Sequence, residues 1–195
     1  MYQIINGWMV FDYWFNKPLS NIVFPKDIKK IQFGGFFDQD ISNASTLPNS
    51  LTNLKLGYCF NQEMHNLSNS LTHLRFGVWF NQEIHNLPNS LTHLTFGDYF
   101  NQDVNNLPNS LIYLSFSWDF NQDISKLPKS ITYLKFSTSD NSKFNHNLNP
   151  YLYHLTSFDI KNSHKHKRLM VERCKINQHN RGIREDKLID LLLKN

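Results

Sequence analysis

The sequence predicts a β-rich repeat solenoid: a single parallel sheet of about eight short strands with irregular return arms and a C-terminal helical cap. Three observations lead there. From Phe60 the chain reads FNQEMHNLSNSLTHLRFGVW, FNQEIHNLPNSLTHLTFGDY, FNQDVNNLPNSLIYLSFSWD and FNQDISKLPKSITYLKFSTS, one unit every twenty residues. Phe60, Phe80, Phe100 and Phe120 open these units without a break. A unit of that size cannot bury its apolar face alone, and it leaves no room for a strand plus an ordinary helix. Copies must therefore stack and share one elongated core. The handedness expected of a parallel crossover is right-handed.

Divergent copies flank the regular ones. FNKPL begins at Phe15, FDQDI at Phe37 and FNHNL at Phe144. Extra residues around Ser42–Thr46 and Ser137–Lys143 read as loop insertions. Met9 and Phe11 precede Phe15 as Leu74 and Phe76 precede Phe80, so residues 6–14 read as a half-repeat that leaves the N-terminal end poorly capped. The solenoid is thus assigned to residues 1–158, with units starting near 15, 37, 60, 80, 100, 120 and 144. Residues 159–195 form a basic, helical C-terminal cap.

Within one coil, Leu91, Leu94 and Phe96 have a spacing that ends in period-two alternation. It predicts a short strand with Leu94 and Phe96 inward and His93 and Thr95 outward. Gly97 closes the strand, Phe100 and Val104 anchor the return arm, and Leu107-Pro108 turns the chain back. Like residues in successive coils lie about 4.8 Å apart. The Phe column then becomes an aromatic spine. The columns Asn61, Asn81, Asn101, Asn121 and Gln62, Gln82, Gln102, Gln122 become polar ladders for backbone groups a non-helical turn leaves unpaired. Ser50, Ser70, Ser90, Ser110 and Ser130 should do the same before each strand.

The units resemble the FNIP repeat, a relative of the leucine-rich repeat known from amoebae and the large viruses that infect them. The name motif is literal at Phe15-Asn16-Lys17-Pro18-Leu19, and later copies put Glu63, Glu83, Asp103 or Asp123 at the proline position. The LPxSLTxLxFG half is complete at Leu87 to Gly97. The resemblance implies a leucine-rich-repeat-like solenoid that binds protein. In some relatives the repeats follow an F-box. Here the pattern starts within ten residues of Met1, so no F-box is expected.

The chain has 195 residues, 40% hydrophobic and 14% aromatic, with sixteen Phe, enough for a sizeable core. Its net charge of +4 is uneven. Residues 161–195 carry ten Lys/Arg against four Asp/Glu, which leaves ten against twelve, or −2, in the rest. The basic character belongs to the tail. Cys59 and Cys174 are far apart and lack metal-type spacing, so a reducing compartment is expected. No cationic-then-apolar leader and no long apolar stretch is readable, which predicts an intracellular, cytoplasmic protein (host cytoplasm if viral) without membrane contact.

The outward strand positions are the expected binding face. One column reads Lys30, Asn53, His73, His93, Tyr113, Tyr133, His154, and the next Gln32, Lys55, Arg75, Thr95, Ser115, Lys135, Thr156. Trp79, Tyr99 and Trp118 follow just after the strands. The candidate partner-binding residues are Lys55, His73, Arg75, Trp79, His93, Tyr99, Tyr113, Trp118, Tyr133 and Lys135, a mixture typical of interface hot spots. The alternative is a solvated sheet face with scattered aromatics.

His73 and His93, one coil apart, could flank a metal, but two ligands fall short of a stable zinc site. No cofactor and no metal are expected. The carboxylates Glu63, Glu83, Asp103 and Asp123 form a like-charged row, not an acid/base pair, and belong on the outside of the return arm. No nucleophile elbow, phosphate loop, HExxH or CxxC pair is present, so no enzyme is predicted. His164 to Arg168 reads as a solvated boundary or, through Lys165–Arg168, a nucleic-acid patch. Ile183 to Lys194 reads as a helix, with Leu188 and Leu192 on one face, that covers the open end or docks a partner. The expected function is non-enzymatic recognition of a partner protein on the exposed strand face, extending to a substrate-recognition type role without its own F-box, by a monomer or a weak dimer formed through the N-terminal end. The alternatives are a nucleic-acid-associated protein using the tail, or a scaffold without a specific partner.

Overall fold

The computed structural model describes residues 1–42 and 47–137, together with the backbone of 157–161. Nine strands form one sheet in sequence order. They are β1 (Tyr2–Ile5), β2 (Trp8–Phe11), β3 (Lys30–Gln32), β4 (Asn53–Lys55), β5 (His73–Arg75), β6 (His93–Thr95), β7 (Tyr113–Phe116), β8 (Tyr133–Ser137) and β9 (Ser157–Lys161). From β2 to β9 every neighbour is parallel, and like residues of the regular coils pair in register, Leu54 with Leu74, Leu94 and Leu114 in turn. A further strand precedes the half-repeat at 6–14. Asn6 (φ 50°) and Gly7 (φ 77°) are a left-handed turn joining β1 antiparallel to β2. This two-residue Asn-Gly hairpin covers the first coil, so the N-terminal end is capped where the sequence suggested it lay open.

Two columns of Phe fill the core. Phe15, Phe37, Phe60, Phe80, Phe100 and Phe120 lie on the return-arm side, with successive centroids 6.0–6.2 Å apart. On the strand side Phe76, Phe96, Phe116 and Phe136 follow at 5.4–5.5 Å. The members of one coil face each other, as Phe76 and Phe80 do at 3.7 Å. All of these rings are buried.

Among the described residues the return arms hold no regular structure beyond a 3-10 turn at Leu19–Asn21, so their backbone depends on side chains. Each Asn serves the coil that follows. Asn61 Oδ1 accepts from the Asn81 amide at 2.9 Å, Asn81 from Asn101 at 2.9 Å, and Asn101 from Asn121 at 3.0 Å. Asn16 and Asp38 hold the same place in the first coils. Gln82, Gln102 and Gln122 donate to the backbone carbonyl of the Asn in the coil before. The Ser50, Ser70, Ser90 and Ser110 hydroxyls likewise donate to carbonyls of Ile28, Leu51, Leu71 and Leu91. The buried Ser130 hydroxyl finds no partner among the described residues. Turns of the Pro-x-x-Leu type close each arm, Leu91 N donating to Pro88 O at 3.0 Å, and Ser68 fills the proline place with the same bond to Leu71.

Gly57, Gly77 and Gly97 end their strands for a steric reason. A Cβ on Gly77 would lie 1.7 Å from the Gly57 carbonyl oxygen, and one on Gly97 1.8 Å from that of Gly77. Where Ser117 and Ser137 replace this glycine, strands lengthen from three residues to four in β7 and five in β8. The last coil corrects the expected columns. β9 sets Ser157 beside Tyr133 and Asp159 beside Lys135, in place of His154 and Thr156, and runs on to Lys161. The expected helical cap, its Ile183–Lys194 helix and the Lys165–Arg168 run lie outside the described residues.

Candidate functional site

Alternation puts one residue of each strand inward and its flanks outward, and stacking turns the outward positions into columns. The first column runs Trp8, Lys30, Asn53, His73, His93, Tyr113, Tyr133. Its last four rings form a ladder: His73 and His93 at 4.2 Å, His93 and Tyr113 at 5.7 Å, Tyr113 and Tyr133 at 4.8 Å, all within 16° of parallel. The Thr72 and Thr92 hydroxyls hold the Nδ1 atoms of His73 and His93 at 2.9 Å. Nitrogen lone pairs lie in the ring plane, so two rings stacked face to face cannot share an ion between them. Burial pushes both histidines below their ordinary value, and the neighbouring His93 and Lys30 push His73 further the same way.

The second column carries Lys55 and Arg75 beside this ladder. Lys55 Nζ lies 4.3 Å from the centre of the Trp8 ring and Lys30 Nζ 5.9 Å, both cation–π contacts. Five of the candidate residues, Lys55, His73, Arg75, His93 and Tyr113, meet around one shallow depression of about 330 Å³ with Trp8 at its edge. Tyr133 joins through its stack on Tyr113. Arg75, Tyr113 and Lys135 line an adjoining hollow of about 440 Å³ towards the post-strand turns. Ser115 of this column is buried and lines the same hollow.

Trp79, Tyr99 and Trp118 lie apart from the depression, on a ridge of exposed aromatics along the turns that follow the strands. Trp79 and Tyr99 stack at 4.6 Å. Tyr13, Trp14 and Phe36 extend the ridge over the first coils, with Trp14 stacked on Phe36 at 4.5 Å and 73% exposed. Sequence reasoning passed over Trp8, Trp14 and Phe36. Trp8 precedes Met9 as Lys30 precedes Ile31, and Trp14 and Phe36 precede Phe15 and Phe37 as Trp79 precedes Phe80. Repeat alignment alone carries that signal.

On the opposite arm the carboxylate row points outward, as expected. Glu63 and Glu83 sit 3.2 and 2.9 Å from His65 and His85, while Asp103 and Asp123 accept from the amides of Asn105 and Ser125. These are local turn contacts in solvent, worth little individually. Among the described residues no group of three or more His, Cys, Asp or Glu could hold a metal, and no helix is long and apolar enough to cross a membrane.

The in-register parallel sheet, the Phe spine and the irregular arms define a leucine-rich-repeat-like solenoid. Models of the FNIP Repeat match residues 15–59, 39–78, 60–99, 80–117 and 100–139. The chain belongs to the FNIP repeat family. Among solved structures it is similar to CroV588, a giant-virus protein described as a novel circular LRR protein. Identity is 35%, the TM-score is 0.58, and the match covers 76% of this chain and 29% of that one. The chain therefore spans under a third of that protein's length. No curated protein matches.

Proposed function

We propose that this chain is a non-enzymatic recognition scaffold that binds a partner protein on its outward strand face. One observation carries the reading: residues facing inward repeat from coil to coil, while those facing outward change. Leu54, Leu74, Leu94 and Leu114 are identical in kind, whereas Lys55, Arg75, Thr95 and Ser115 in the next position are not. Stacking needs the first uniformity and has no use for the second variation. The face also joins cations to large rings, the composition of binding hot spots. The ridge of Trp79, Tyr99 and Trp118 borders it as further contact surface. Leucine-rich-repeat-like solenoids commonly serve as interaction scaffolds, which supports the same reading.

The test is affinity capture from host-type lysate with the wild-type chain and with a triple variant, Arg75→Ala, Tyr113→Ala and Trp118→Ala. A specific protein retained by the wild type and lost from the variant, at equal unfolding midpoints, is the expected result. Equal retention by both would exclude this face.

A further inference from the structure

We propose that the occupant of the strand face is an extended, carboxylate-rich segment of the partner protein, running across β2 to β7 along the solenoid axis. This rests on the reading of the face as a protein-binding surface and specifies what it binds. The first support is charge. Outward positions of β2 to β8 hold Lys30, Lys55, Arg75 and Lys135 and no Asp or Glu, although residues 1–160 carry a net −2. Acidic side chains stand instead on the return arm, among them Asp38, Glu63, Glu83, Asp103 and Asp123, and in the post-strand turns, at Asp12, Asp98 and Asp119. Asp159 takes the register position beside Lys135, and Lys30, Lys55 and Arg75 stand together on β3 to β5.

Ring orientation separates a carboxylate partner from a nucleic acid. His73, His93, Tyr113 and Tyr133 cover one another's faces and leave their edges outward. Ring edges carry the positive end of the quadrupole and attract anions. A nucleobase would need a free ring face to stack on, and Lys55 already lies over the Trp8 ring at 4.3 Å. The depression lies over the strands at Leu54 and Leu74, whose side chains face the core, and is lined by the rings of Trp8, His73, His93 and Tyr113 together with Lys55 and Arg75. It accepts a side chain of mixed character. From β2 to β7 is five strand spacings, roughly 24 Å, or about seven residues of extended chain.

The experiment is a fluorescence anisotropy titration of the full chain with three labelled probes. They are a peptide of roughly ten residues alternating Glu and Ala, the same peptide with Gln for Glu, and an oligothymidylate of equal length. The Glu peptide should bind at least about tenfold more tightly than the Gln peptide, and weaken as salt rises. The double variant Lys55→Gln/Arg75→Gln should lose about tenfold. Lys126→Gln/Lys129→Gln, an equal charge change at exposed return-arm positions, should lose nothing. Equal affinity for the two peptides would overturn the acidic class and leave the face as a protein-binding surface. Tighter binding of the oligothymidylate, or binding of no probe, would overturn the proposal too. Capture by the Arg75/Tyr113/Trp118 triple variant then tells whether the face itself is at fault.

Discussion

The imidazole rings of His73 and His93, on neighbouring strands, lie face to face with centroids 4.2 Å apart and planes 9° from parallel. Burial lowers both below the ordinary 6.5, and no carboxylate among the outward β2–β8 positions offsets it; Lys30, Lys55, Arg75 and Tyr113 are the neighbours. The unfolded chain takes up protons on these rings from about 6.5 downward, before the folded chain does. Their contribution to stability is therefore complete above that value and lost as pH falls through the lowered folded values. Urea midpoints at about pH 7.5 and about pH 5 should fall further for the wild type than for His73→Gln/His93→Gln. Identical losses would contradict this account of the pair.

The polar ladder makes a prediction that separates hydrogen bonding from mere size. Asn81→Ala strands the Asn101 amide and removes one of the two acceptors of the Gln102 side-chain nitrogen, the other being the backbone carbonyl of residue 81, and should cost about 1–3 kcal/mol in chemical denaturation. Asn81→Asp should be close to neutral. Asp38 already does this work, accepting from the Asn61 amide and the Gln62 side chain at 2.9 Å each. A costly Asp together with a harmless Ala would refute the ladder's role.

Gly77→Ala places a methyl group inside van der Waals contact of the Gly57 carbonyl, and no flexible side chain is there to yield. The coils must part locally, at a cost of about 1–3 kcal/mol or more. Ser117→Ala, at the position where the column has already lost its glycine, should cost much less. Thermal unfolding of the two variants side by side checks the difference.

What the sequence makes legible follows from repetition. Phe, Asn, Gln and Ser recur because each coil sets the same packing and hydrogen-bonding problem, so their columns can be read without coordinates. The Asn6-Gly7 hairpin was as strong a local signal as any, between the YQII and WMVF runs. The half-repeat reading of Met9 and Phe11, itself sound, hid it. The register of β9 was out of reach, since the lengthened connection after β8 lets the pairing slide while the apolar pattern stays plausible on either setting. At the candidate face, positions were legible and relationships were not. The reach of Lys55 over Trp8 spans two strands, and no spacing rule anticipates it.

The central claim is that coils stack in register around a buried Phe spine, and the neighbours Trp79 and Phe80 test it most directly. Phe80 is fully buried between Phe60 and Phe100, whereas Trp79 is about half exposed on the ridge. Equilibrium unfolding in urea should show Phe80→Ala losing about 3–5 kcal/mol. Trp79→Ala should lose about 1 kcal/mol or less, the worth of its stack on Tyr99. Equal losses, or a larger one at Trp79, would contradict the stacked-coil account and the surface built upon it.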